Sequence, residues 1–289
     1  SLDGFYKPAP ELTLSLTEAL VVDTNTSLVA REAVATGRDR AWGNTLTPGV
    51  AWQIDPLTSL RGNASWTVQR YDADELQDSD VYRAAATFER SLTRRLAGTL
   101  GYDAGYFDIQ REPTTWTHTP RAGVVFRATE TVTLGLSAGP TFELRDGEDS
   151  RVTPAVSASY VQRFSFGTVS ASYERFVGTA GGVGGTTDNQ AFGAQLQVTS
   201  LLRGLTLAVA PRYNIEESDD DRVDIRSFTL SLSAAYRLTA WMSAVAAYRF
   251  FHQRSDSTAL TGLGLPIATD ADQNRVWVGL QLGWPVRFD

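Results

Sequence analysis

The chain has no cysteine, one methionine and two histidines among its 289 residues. Without cysteine there are no disulfides, no thiolate metal sites and no thiol nucleophile. His118 and His252 are then the whole supply of imidazole. Neither sits in a His-x-Ser-Asn-Gly or Gly-x-Ser-x-Gly setting, so a serine–histidine hydrolase is not signalled. His252 lies near Ser255 and Asp256, but neighbouring side chains on a strand point to opposite faces, and both histidines read as polar barrel positions. The chain is not expected to be an enzyme or to need a cofactor. Long apolar runs are missing too. No window approaches the roughly 18 apolar residues of a helical membrane span. Positive charge is scarce, with 26 Lys and Arg against 33 Asp and Glu and a net charge of −7, which disfavours nucleic acid as a partner. The chain starts at Ser1 without a signal-like apolar region, so a mature or trimmed form is expected.

What is present is alternation. Val276, Val278, Leu280, Leu282, Trp284, Val286 and Phe288 are bulky and apolar, and the residues between them are polar, small or mixed. This is the period-2 pattern of a strand with one oily and one wet face. About 9–11 tilted residues cross a hydrocarbon layer, and this stretch is long enough. Similar stretches recur at 10–23, 41–55, 58–72, 80–93, 96–111, 117–128, 131–145, 151–164, 167–178, 188–201, 204–217, 223–238, 241–254 and 273–288. Their connections alternate between short, such as 55–58 and 129–131, and long and polar, such as 72–80, 178–187 and 255–272. Short turns on one side and long loops on the other predict an all-β fold. The expected form is one closed antiparallel transmembrane β-barrel of about 14 strands, with short periplasmic turns and longer external loops. One domain is expected over 1–289, with 1–9 as a short periplasmic segment and 25–40 as a loop or strand extension.

Aromatic residues gather near both ends of these strands. Tyr71, Tyr82, Tyr106, Phe107, Trp116, Phe176, Phe192, Tyr213, Phe250 and Phe251 lie toward the loops. Trp52, Phe88, Phe126, Phe164, Phe166, Trp241, Trp284 and Phe288 lie toward the turns. Two such bands suit rings at headgroup depth. Two features strain the pattern. Glu18 interrupts an oily set and predicts a bulge or an early strand end. Pro48, Pro140, Pro154 and Pro211 fall inside strands, where bulges or ends would tolerate them.

The wet faces carry the candidate pore-lining charges: Arg83, Glu89, Arg121, Arg127, Glu143, Arg145, Glu174, Arg212, Arg237 and Arg249. In a water-filled lumen they would bias passage toward anions or acidic saccharides; the alternative is Arg–Glu pairs that brace the wall. Fourteen strands imply a backbone diameter of roughly 28 Å and a clear lumen of roughly 15 Å. The acidic runs at 72–80, 216–221 and 270–272 lack the EF-hand ligand order and read as solvated loops. The Gly-rich stretch 178–185 lacks the Gly-Lys-Ser/Thr of a phosphate-binding loop and reads as a flexible loop.

The segment Leu46-Thr-Pro-Gly-Val-Ala-Trp52, after the strand Leu-Thr-Leu-Ser-Leu16, resembles the family of β-barrel porins linked to exopolysaccharide and exosortase systems. The ending Trp284-Pro-Val-Arg-Phe288 is similar to that family too, although Asp289 departs from the usual terminal aromatic. The resemblance implies a bacterial outer-membrane barrel serving polysaccharide export and carries no catalytic residue across. The partners it implies are outer-membrane lipid and lipopolysaccharide, polysaccharide, and other export-system proteins. A structural or adhesive barrel presenting acidic loops to partner proteins, and a general diffusion porin, are the alternatives.

Overall fold

The computed structural model describes residues 2–23, 40–74, 76–147, 149–179, 185–218, 223–256 and 270–283. The described residues form fifteen strands and no helix. In chain order these are β1 (Leu2–Ala9), β2 (Leu12–Asp23), β3 (Ala41–Asp55), β4 (Thr58–Tyr71), β5 (Ser79–Ser91), β6 (Leu96–Ile109), β7 (Thr115–Arg127) and β8 (Val132–Arg145). They continue with β9 (Arg151–Phe164), β10 (Gly167–Thr179), β11 (Thr186–Val198), β12 (Leu205–Glu217), β13 (Asp224–Arg237), β14 (Met242–Ser255) and β15 (Ala271–Leu282). All belong to one antiparallel sheet in which every strand pairs with its sequence neighbours. The alternation that defines each strand also fixes its register, because a slip of one residue would turn the oily set inward.

All fourteen expected strands are present with nearly the expected bounds, 188–201 becoming Thr186–Val198, for example. The end of the last one, with Trp284, Val286 and Phe288, lies outside the described residues, as do 25–39, 180–184, 219–222 and 257–269 in the links. The count needs correction. Residues 1–9 were expected to be a periplasmic segment, yet Leu2–Ala9 forms an additional strand on the edge of β2, with Leu2 opposite Glu18 and Tyr6 opposite Leu14. Its Leu2 and Tyr6 continue the oily face of β2, and pairing satisfies backbone groups that a bare edge would leave open. No ladder joins β1 to β15 among the described residues, so the sheet is not closed by backbone pairing as expected. It is nevertheless curled. The Asp23 carboxylate of β2 accepts two hydrogen bonds from the Arg275 guanidinium of β15, at 3.1 and 3.2 Å.

The two irregularities resolve without bulges. Glu18 pairs regularly with Leu46, β2 runs on to Asp23, and the Glu18 carboxylate accepts a 3.5 Å hydrogen bond from the Asn44 amide on the same outer face. The prolines sit inside the sheet and interrupt ladders without shifting register. Pro140 lies directly opposite Pro154, and the β7–β8 ladder breaks between His118 and Ala122, around Pro120. The backbones approach closely there: a Cβ on Gly139 would meet the Pro120 carbonyl oxygen at 1.8 Å, so the position requires glycine.

The oily sets face outward. Leu134, Leu136, Phe142 and Leu144 of β8 are exposed on the outer face, while Thr141 and Glu143 between them are buried on the inner one. An aromatic row crosses four neighbouring strands on the outside as Trp66, Tyr82, Tyr106 and Trp116, with ring centres 4.6–6.0 Å apart. A second runs from Tyr173 through Phe192 to Tyr213. Phe107, Phe176 and Phe251 depart from the expected girdle. Each occupies the opposite parity from Tyr106, Tyr173 and Phe250, and therefore faces inward.

Candidate lumen site

The inner face changes character along its length. Toward the long loops it is packed, and its largest fully buried side chains include Phe107, Glu143, Glu216, Ile225, Phe251 and Gln253. These come from β6, β8, β12, β13 and β14, all at the loop ends of their strands. Toward the short turns, inward positions such as Arg61, Thr87, Arg127, Arg163, Gln195, Gln197 and Arg237 are exposed.

Side chains from non-adjacent strands meet in the loop-end half. Arg83 of β5 donates to the Val177 carbonyl of β10 at 3.5 Å. Its guanidinium carbon lies 5.2 Å from the Phe107 ring centre and 5.9 Å from that of Phe176, within cation–π range of both. Arg145 of β8 reaches the Thr186 hydroxyl of β11 at 2.9 Å. It also lies 3.8 Å from the buried carboxylate of Glu143, which accepts a hydrogen bond from Thr153 at 3.3 Å. Below this band is a cavity of about 300 Å³ lined by residues that include Arg83, Asp103, Arg121, Glu174, Phe107 and Phe176. In it Arg121 pairs with Asp103 at 3.0 Å, and the Thr119 and Thr141 hydroxyls share a 2.8 Å hydrogen bond.

The ten sequence candidates all lie on the inward parity of their strands, and they divide into two groups. Arg83, Arg121, Glu143 and Arg145 are engaged across or along the wall. Arg212 donates to Asn214 at 2.8 Å, and Glu174 is exposed toward the cavity. Glu89, Arg127, Arg237 and Arg249 make no ion pair or side-chain hydrogen bond among the described residues. The same holds for Arg61 and Arg163, which the sequence reading missed although both fall on the wet parity of expected strands. Asp103, the partner of Arg121, was missed as well. Its place on the wet face was legible; the pairing was not. The two histidines face outward. His118 Nδ1 lies 2.6 Å from the Tyr102 hydroxyl, and His252 Nδ1 lies 2.7 Å from the Asp272 carboxylate.

An inner wall with this distribution has two ends of different chemistry. Its turn end offers exposed guanidinium groups that are unpaired among the described residues, and such groups attract anions. Its loop end is crossed by side chains that join non-adjacent strands, Arg83 to Val177 and Arg145 to Thr186.

No protein-family model matches the chain, and no curated protein does either. Solved structures do match. The ferric citrate transporter FecA in its unliganded form aligns with a TM-score of 0.51 at 13% identity, over 96% of this chain and 54% of that one. The FrpB iron transporter from Neisseria meningitidis aligns with a TM-score of 0.51 at 10% identity, over 88% of this chain and 52% of that one. The alcaligin outer membrane receptor FauA from Bordetella pertussis gives 0.47 at 15% identity, over 98% and 56%. The chain thus spans about half the length of these three structures. The likeness shows the fold alone, one continuous antiparallel β-sheet shared with these transporters.

Proposed function

We propose that the protein spans a bacterial outer membrane and conducts hydrophilic solutes, admitting them at the turn end and gating them at the loop end. Anionic secreted polysaccharide is the favoured cargo. One observation carries this reading: the inward arginines Arg61, Arg127, Arg163 and Arg237, which have no ion pair or side-chain hydrogen bond among the described residues, stand at the turn end, whereas Arg83, Arg121 and Arg145 are engaged toward the loops. In outer-membrane barrels the short turns face the periplasm. A solute leaving the periplasm would therefore meet a basic, open vestibule first and the packed band last, which is the order that suits export. The polysaccharide follows from the resemblance of the Leu46–Trp52 region; the preference for negative charge follows from the arginines. The outward aromatic rows and oily sets suit contact with lipid and lipopolysaccharide, and the acidic loops suit contact with other export-system proteins.

The packed loop-end half also supports a second reading, a structural barrel closed to solutes. Conductance in planar bilayers separates the two. The gated conduit predicts low resting conductance, larger anion-selective steps in Arg83→Ala/Arg145→Ala, and block by acidic oligosaccharide added on the turn side. A correctly inserted variant that stays silent would leave only the structural barrel.

A further inference from the structure

The edges of the sheet present a physical problem. Hydrocarbon satisfies no backbone N–H or C=O, so a membrane-spanning sheet must pair its edges. Among the described residues β15 has a free edge, and its outward side chains Val276, Val278, Leu280 and Leu282 are 63–75% exposed, against 39% and 55% for Leu134 and Leu136 in mid-sheet. β1 has the other free edge, but it runs parallel to β15, is only 8 residues long, shifts register between Tyr6 and Ala9, and places Phe5 on the wet face opposite Ser15. β2 runs antiparallel to β15, and β1 reaches only as far as Glu18 on it. Beyond that point the Asp23–Arg275 pair already bridges β2 to β15.

We infer that β2 and β15 are the closing strands of the barrel, in the register that sets Asp23 opposite Arg275, and that β1 is an exchangeable strand competing with β15 for the same edge of β2. Carrying that register down the strands sets Val22 against Val276 and Leu20 against Val278 on the outer face. On the inner face it sets Ala19 against Gly279 and Thr17 against Gln281. Every pair matches oily with oily or wet with wet, except Glu18 with Leu280. Leu20 and Val22 are themselves 60% and 55% exposed, so zipping would cover apolar surface on both strands. The overlap lies at Leu16–Glu18, which β1 holds through Gly4, Asp3 and Leu2 and which β15 would hold through Leu282, Gln281 and Leu280. With β1 in place the turn-end half of the seam is a lateral opening between lumen and bilayer. With β15 in place it is sealed.

The absence of cysteine makes a direct test possible. In the full chain, folded in outer membranes, a triple variant Asp3→Cys/Thr17→Cys/Gln281→Cys gives the thiol at position 17 a choice of two partners. Oxidation is expected to yield both the 3–17 and the 17–281 disulfides. The 17–281 product should exceed that of Ala19→Cys/Gln281→Cys by about tenfold, since a disulfide needs Cβ atoms about 3.5–4.5 Å apart and diagonal neighbours lie farther away. Adding Asp23→Asn should move the yield toward 3–17. Heat-modifiable migration in gels confirms that each variant is folded. A folded triple variant that forms only the 3–17 bond would overturn the exchange. Equal yields for 17–281 and 19–281 would overturn the register.

Discussion

The two halves of the inner wall are built from the same strands and answer to different physics. At the loop end Phe107, Phe251 and Ile225 are buried beside Glu143, Glu216 and Gln253, as in the core of a soluble protein. At the turn end the same alternation delivers serine, threonine, glutamine and arginine to water. A strand of this sheet thus meets two environments on its inner face and one on its outer face, and the local residue choice follows the environment. Arginine shows this most clearly. In the packed half Arg83, Arg121 and Arg145 are matched by a carbonyl, a carboxylate or a hydroxyl, since an uncompensated buried charge is costly. Arg61, Arg127, Arg163 and Arg237, in the wet half, have no such partner among the described residues.

The largest effect should come from the packed half. Phe107→Ala removes a ring that is 1% exposed and clusters with Val81 and Ile109, and should cost about 3–5 kcal/mol, read as a shift in the urea midpoint of the barrel in detergent. Thr99→Ala, on the same strand in the wet half, should change stability by no more than about 0.5 kcal/mol. If the two variants unfold alike, the division of the wall into core and vestibule is wrong.

Next in size is Glu143→Ala, which leaves Arg145 and Thr153 without that carboxylate and should cost about 2–3 kcal/mol in the same assay. Replacing Glu143 and Arg145 together with methionine should recover much of that loss, because the unmatched charge goes with its partner. Close approach of the backbones gives a third test. Gly139→Ala forces a Cβ toward the Pro120 carbonyl and should lower the yield of heat-modifiable barrel without altering its ion selectivity.

The smallest expected change in stability belongs to the vestibule. Arg127→Gln/Arg163→Gln/Arg237→Gln should leave the urea midpoint in place, since these side chains have no partner to lose among the described residues. Reversal-potential measurements on the conducting Arg83→Ala/Arg145→Ala background should instead show the anion preference falling. Unchanged selectivity would move the basis of any charge discrimination out of the vestibule.

Strand number and parity were largely legible beforehand because each is written in the period-2 pattern, which local sterics and a two-sided environment enforce. Every inward candidate therefore lies on the expected face. The misreadings have physical causes. Phe107 and Phe251 were assigned to the girdle by chemistry, but each stands next to an aromatic that already occupies the outward parity, so it had to turn in. Pro140 suggested a bulge, yet the sheet absorbed it by omitting ladder bonds.

The sequence by itself determined the all-β class, the meander, the oily exterior and the wet interior, because those depend on neighbours within one strand or one hairpin. Only the tertiary structure decided that Arg83 meets Val177, that Arg145 meets Thr186 and that Asp23 meets Arg275. Those partners are separated by 94, 41 and 252 positions in the chain. They meet because the sheet curls, and the angle of curling is set by the whole sheet rather than by any local pattern.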